Sequence, residues 1–207
     1  MKPWLFDILA CPIDKKFPLK LYIFSFETSL KFFQEIFNLY MKRDLEFVEK
    51  ENIIEIFKEG EEIFVRDNIV IEKKPINKYL KLIISGIDEI KNINVKAVDQ
   101  IIRNCFNLIN KEIKSNITKF FNSEEIDDIK DILPDLYFLN KIKIETEILS
   151  GILFCDECNR WYPIIDTIPQ MLPDEYRNEK EEIEFLKTNK HLLNNKFVEQ
   201  DLKPFNI

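Results

Sequence analysis

The sequence predicts an α+β fold: a small β domain built from both ends of the chain, with a mostly helical domain inserted between them. Three observations predict it. Cys11 and position 14 form half of a ligand site near the start, and Cys155 and Cys158 form the other half near the end. The segments beside these half-sites read as strands. The long middle region instead repeats its apolar residues at helical spacing.

Composition narrows the function classes. A chain of 207 residues with 45% hydrophobic residues can bury a sizeable core, and 18 Phe give that core large side chains. The net charge of −7 argues against a general nucleic-acid grip, which needs a basic face that releases counterions. Three glycines leave almost no room for a Gly-rich phosphate loop. No long apolar run reads as a membrane span, and the first ten residues do not form a signal peptide. A cytoplasmic protein is expected, and its four cysteines then point to metal or core positions before disulfides.

Residues 1–26 begin with Trp4, Leu5, Ile8 and Leu9 at helical spacing, a short helix over 3–10 opened by Pro3. Cys11-Pro12-Ile13-Asp14 follows, then a strand over 19–26. Residues 27–140 form the insert. Leu30, Phe33, Phe37, Tyr40 and Met41 share one face of a helix over 28–43. Ile53, Ile56 and Phe57 predict a shorter helix ending near Gly60. The stretch 63–72 reads as a hairpin turning at Asp67-Asn68, with a continued helix as the alternative. Helical spacing returns after Pro75. The strongest amphipathic pattern runs over 95–113 and carries Cys105 on its apolar face, a core position. Ser123 with Glu125 and Ile126 starts another helix, which Pro134 stops. The acidic pairs Glu124-Glu125 and Asp127-Asp128 suit that helix N-terminus.

Residues 141–175 return to strands. Ile142, Ile144, Thr146 and Ile148 alternate with charged residues, a half-buried strand pattern. A second strand over 152–154 leads into Cys155-Asp156-Glu157-Cys158, then Trp161-Tyr162 and a proline-punctuated apolar run to Pro173. Residues 176–207 read as a charged C-terminal helix and a tail, the last dozen residues irregular and mobile.

A Cys-x-x-Cys between strands is the knuckle of a zinc ribbon, because its tight turn aims both sulfurs at one point. One knuckle supplies two ligands and a closed structural site needs four. The set is Cys11, Asp14, Cys155 and Cys158, with Asp14 standing where a fourth Cys is expected. Either Asp14 binds zinc through oxygen, or the site has degenerated and the sulfurs sit in an apolar core. His191, the single histidine, is an exposed bystander or a substitute ligand. No Ser/His/Asp or Cys/His pairing is visible, so an enzyme is not expected.

The two ends, MKPWLFDILACPIDKKFPLKL (1–21) and GILFCDECNRWYPIIDTIPQMLPDE (151–175), resemble the small zinc-ribbon activator subunit of S-adenosylmethionine-dependent methyltransferases. The resemblance implies a non-catalytic subunit that forms a heterodimer with a methyltransferase acting on tRNA, rRNA or a release factor. It implies solubilisation of that enzyme, support of its methyl-donor binding, and contact with RNA only through it. The sequence departs from the family at Asp14, and at Asn159 and Thr167, where glycine is common. Trp161, Ile164, Ile165, Ile168, Met171 and Leu172 offer more apolar surface than a small ribbon can bury, so they are the candidate partner-binding residues; packing against the insert or Trp4 and Leu5 is the alternative. A stand-alone zinc-ribbon nucleic-acid-binding protein is the second reading, and an activator lending Lys15, Lys16 and Lys20 to a partner's RNA channel is a mixed one.

Overall fold

A computed structural model describes residues 1–123 and 128–206. The fold is α+β, and the chain divides into two compact units. The first contains Met1–Thr28, Asn92–Arg103 and Glu147–Ile207; the second contains Ser29–Lys91 and Asn104–Thr146. Among the described residues no helix is long and apolar enough to cross a membrane.

The first unit starts with a 3-10 turn over Pro3–Ile8, where Pro3 occupies a position that needs no N–H donor. Strand β1 (Lys20–Phe26) follows. The second unit then runs α1 (Leu30–Lys42), α2 (Leu45–Glu51), β2 (Glu55–Glu59), β3 (Glu62–Arg66), β4 (Lys74–Pro75) and α3 (Ile76–Ile90). Strand β5 (Ile93–Asn94) returns to the first unit, and α4 (Gln100–Leu108) leads back to the second. There α5 (Lys114–Phe121) and α6 (Leu133–Asn140) complete the helices. Strands β6 (Ile148–Phe154), β7 (Trp161–Ile165) and β8 (Ile168–Pro169), then α7 (Glu179–Asn189) and α8 (Asn195–Val198), finish the first unit.

The sheet of the first unit has the order β5-β1-β6-β7-β8. Strand β1 pairs antiparallel with β6, Leu21 opposite Leu153, and parallel with the two-residue β5. Successive side chains alternate between faces. Tyr22, Phe24, Ile152, Phe154 and Trp161 therefore meet Leu186, Leu193, Phe197 and Leu202 of the C-terminal segment in one apolar cluster. The expected mobile tail is instead packed. Phe197 sits edge-on to Tyr22 and Phe154, both at 5.0 Å, and the Trp161 indole donates to the Phe205 carbonyl at 3.0 Å. Four apolar side chains at irregular spacing dock the segment, although no periodic pattern advertises them.

The second unit is built on α6, every residue of which is buried. Its Asp135 carboxylate accepts from Tyr40 at 3.0 Å, Arg43 at 2.9 Å and Asn116 at 3.0 Å, so the buried charge is paired and hydrogen-bonded. Pro134 opens this helix rather than stopping one, since the first turn has no intrahelical use for the missing N–H. Of the start predicted at Ser123 with Glu125 and Ile126, and of the pairs Glu124-Glu125 and Asp127-Asp128, residues 124–127 lie outside the described residues. Ser123 donates to the Phe120 carbonyl at 2.7 Å, and Asp128 caps the 3-10 turn Ile129–Ile132 by accepting from the Lys130 amide at 3.2 Å.

Four other expectations are corrected in whole or in part. The stretch around Ile56 and Phe57 is strand β2, because Phe57 pairs across the sheet with Phe64. One hairpin turns at Gly60, with φ of 63°, and joins β2 to β3. The chain also reverses from Asp67, since β3 pairs antiparallel with β4, but the returning strand is only Lys74–Pro75 and not the run up to residue 72. Asp67 is buried in that turn, accepting from the Ile69 and Val70 amides and from Tyr79 and Asn140. The alternating run 142–148 is not a continuous strand. Lys141–Glu145 continues α6 as a π-helical turn, with Ile142 and Lys143 both buried, and β6 begins only at Ile148. Packing overrides β-propensity there. The amphipathic helix expected over 95–113 begins at Gln100 and continues through a π turn at Ile109–Ile113 into α5.

The docking of the C-terminal segment is directly testable. Truncating Phe197 to Ala is expected to lower unfolding stability by about 3–5 kcal/mol in chemical denaturation, as for other buried aromatics. An unchanged midpoint would show that the segment does not hold that face.

Candidate metal centre

The two knuckles are built alike. The Cys11 amide donates to the Lys16 carbonyl at 3.0 Å, and the Cys155 amide to the Arg160 carbonyl at 2.8 Å. The residue before each closing carbonyl is left-handed: Lys15 has φ of 63° and Asn159 of 55°. Asn tolerates that region better than most residues, which is how position 159 does without the family's usual glycine. Thr167 shows the same need, with φ of 68° in the β7–β8 turn. In both knuckles the fourth residue faces the first, so Asp14 matches Cys158 by position.

The pairing of β1 with β6 carries the knuckles together. Oxygen or sulfur atoms of Cys11, Asp14, Cys155 and Cys158 all lie within 4.8 Å of one another. Cys11 Sγ stands 3.7 Å from Cys158 Sγ, and Cys155 Sγ stands 3.2 Å from Asp14 Oδ2 and 3.6 Å from Oδ1. Tetrahedral zinc with Zn–S bonds of about 2.3 Å places neighbouring sulfurs about 3.8 Å apart; with Zn–O of about 2.0–2.2 Å, sulfur and oxygen fall about 3.5–3.7 Å apart. The sulfur–sulfur spacing matches; Asp14 Oδ1 lies at the sulfur–oxygen value and Oδ2 somewhat inside it, so with a small widening the four residues suit a cation held by three sulfurs and one oxygen. Such a set is full with four protein ligands and leaves no open position for substrate.

Electrostatics agree with that use. The Lys16 amide donates to Asp14 Oδ1 at 2.9 Å and is the foremost cause holding the Asp14 carboxyl well below the usual carboxylate range. Asp14 is thus charged, with Oδ2 turned to the sulfurs. Burial pushes the Cys155 and Cys158 thiols up, opposed by backbone amides of Glu157 and Cys158 aimed at Cys155 and of Arg160 aimed at Cys158. A cation in their midst would supply the charge that turns these thiols into thiolates.

Other candidate residues lie elsewhere. Cys105 belongs to the second unit, fully buried, its thiol pushed up to about 12 by burial. His191 is exposed and meets the Thr188 carbonyl at 3.0 Å at the end of α7. Lys20 pairs with Asp156 at 2.8 Å, Lys16 with Glu157 at 3.9 Å, and Lys15 donates to the Pro12 carbonyl. The knuckle lysines are therefore locally partnered.

The six apolar residues expected at a partner surface divide. Trp161 and Ile164 are fully buried within their own unit; Trp161 lies in the cluster made with the C-terminal segment. Ile165 and Met171 are half-buried. Ile168 is 59% exposed and Leu172 43% exposed, on and just beyond the terminal strand β8. Sequence reasoning missed Arg177, whose buried guanidinium pairs with Glu182 and lies 5.4 Å and 5.3 Å from the Trp161 and Tyr162 ring centres. It also passed over the tyrosine of the Trp161-Tyr162 pair. Strand alternation was the available signal, since it turns Tyr162 away from Trp161 and toward Cys11.

No curated protein and no solved structure matches this chain. A family model does: that of the Trm112p-like protein matches residues 2–166, well over half of the chain and including all four cluster residues. The chain therefore belongs to the Trm112p-like family, which is known for activating methyltransferases.

Proposed function

We propose that this chain is a non-catalytic subunit that binds and activates an S-adenosylmethionine-dependent methyltransferase acting on tRNA, rRNA or a translation release factor. The carrying observation is the family match over residues 2–166. In this reading the two proteins form a heterodimer in the cytoplasm, and RNA meets this chain only through the enzyme. Zinc, held by Cys11, Asp14, Cys155 and Cys158, supplies a structural cross-link between the chain ends. The donor set supports zinc, since three sulfurs favour a borderline-soft cation and one carboxylate oxygen is an ordinary partner for it. The chain's own residues do the rest: the knuckles hold the sheet end, and the sheet presents β8 and the loop after it.

The docking surface in this reading is that edge. Ile168 and Leu172 are its exposed apolar anchors, flanked by the half-buried Ile165 and Met171. Trp161 and Ile164 contribute from beneath, as the packed floor of the edge. A terminal strand offers main-chain pairing to a partner strand, and the apolar side chains add specificity. The alternative, a stand-alone nucleic-acid-binding ribbon, draws no support from a net charge of −7 and knuckle lysines that face carboxylates or a carbonyl.

Two measurements test these assignments. With tagged protein expressed in its native cells, a methyltransferase is expected to copurify. Ile168→Asp is expected to weaken that complex by about 2 kcal/mol or more, as loss of a central anchor does, while the free protein unfolds as before. Unfolding of the free variant would place Ile168 in the core, and absence of any methyltransferase would refute the activator role. For the metal, Asp14→Cys is expected to retain zinc against a competing chelator better than the parent, because thiolate is the stronger donor. Elemental analysis finding no zinc in either protein would dismiss the site.

A further inference from the structure

The residues of the cluster are supported in three ways. Asp14 is oriented by the Lys16 amide, and the sulfurs of the second knuckle receive backbone amides. Cys11 is fully buried, and outside the cluster its sulfur meets a side chain, the Tyr162 hydroxyl, at 3.3 Å. Tyr162 is fully buried too. Its place in β7, opposite Leu153, and the Arg177 guanidinium 5.3 Å from its ring centre fix the ring.

A buried phenol needs a hydrogen-bond partner. A neutral thiol is a weak acceptor, whereas a thiolate is anionic and makes a charge-assisted bond roughly twice as strong as a neutral one. The 3.3 Å contact with Cys11 Sγ is the bond that satisfies the Tyr162 hydroxyl, and it is strongest where Cys11 is a metal-bound thiolate. The charge count points the same way. Three thiolates and a carboxylate carry −4, a divalent cation returns +2, and the remaining −2 must be met by donors around the site.

Resting on the zinc reading above, we propose that Tyr162 is the outer positioning residue of the metal centre. It donates its hydroxyl proton to Cys11 Sγ, fixing that thiolate's rotamer and drawing off part of its charge. The hydroxyl keeps its proton throughout, and no bond is made or broken. Outer partners of this kind typically support metal affinity by about 10–100-fold.

Cobalt(II) is the probe, because its thiolate charge-transfer absorption reports the energy of the sulfur lone pairs. Tyr162→Phe removes one oxygen and keeps the ring. It is expected to bind Co2+ roughly tenfold or more weakly and to move the charge-transfer band to lower energy, since the lone pairs of Cys11 lose their donor. A hydroxyl that supports only the fold would, when removed, lower the stability of the metal-free protein and leave the band in place, which would count against the proposal. Unchanged affinity and band position, with the parent protein binding Co2+ tightly, would overturn the role of Tyr162 alone. Failure of the parent protein to bind Co2+ would overturn the zinc reading and this inference together. Should Tyr162→Phe not fold, a ring-fluorinated tyrosine at position 162, a stronger donor, is expected to move the band to higher energy; an unmoved band would overturn the proposal.

Discussion

Antiparallel pairing of β1 with β6 is the contact on which the first unit depends. It joins segments from opposite ends of the chain and sets Cys11 beside Cys158, 147 positions away. The pairing is close at Gly151. A Cβ built there would lie 2.5 Å from the Tyr22 carbonyl oxygen, a distance no side chain tolerates against backbone. Glycine is required at that point for approach, and the knuckles at the strand ends inherit their separation from it. The long insertion between β1 and β6 is no obstacle, because loop-closure cost rises only with the logarithm of loop length.

The first unit's sheet divides its faces between two tasks. One face carries Phe24, Ile152, Phe154 and Trp161 and is closed by the C-terminal segment, much of which lies beyond the residues matched by the family model. The alternate residues of β7 turn the other way, where Tyr162 reaches Cys11. With one face covered by its own chain, the exposed apolar side chains near the knuckles are Ile13 and Phe17 at the first of them and Ile168 and Leu172 at the β8 edge. A partner docking at that edge, as proposed, would extend the sheet instead of competing with the tail.

Much of this was legible in the sequence, for physical reasons. Knuckle spacing is local chemistry, so the grouping of Cys11, Asp14, Cys155 and Cys158 was expected from the sequence, and the fold brings them within 4.8 Å of one another. Long helices with one apolar stripe, such as α1 and α3, announced themselves through period alone. What escaped was decided by packing. Ile142 and Ile144 alternate like strand residues yet continue a buried helix, and Ile56 and Phe57 show helical spacing yet pair across a hairpin. Strand β5 is two residues long and carries no pattern by which Asn92–Arg103 could be assigned to the same unit as the chain ends. The tail misled because its anchors, Leu193, Phe197 and Leu202, follow no single period. Trp161 and Ile164 show the limit of apolar counting: composition marks them as surplus surface, and only the fold shows what covers them.

The central claim is that a cation held by three sulfurs and one oxygen ties the chain ends together. X-ray absorption at the zinc edge of the zinc-loaded protein tests it most directly. The account predicts a four-coordinate first shell with three sulfurs at about 2.3 Å and one oxygen at about 2.0–2.2 Å. A shell of oxygen and nitrogen alone, or one of six ligands, would contradict it.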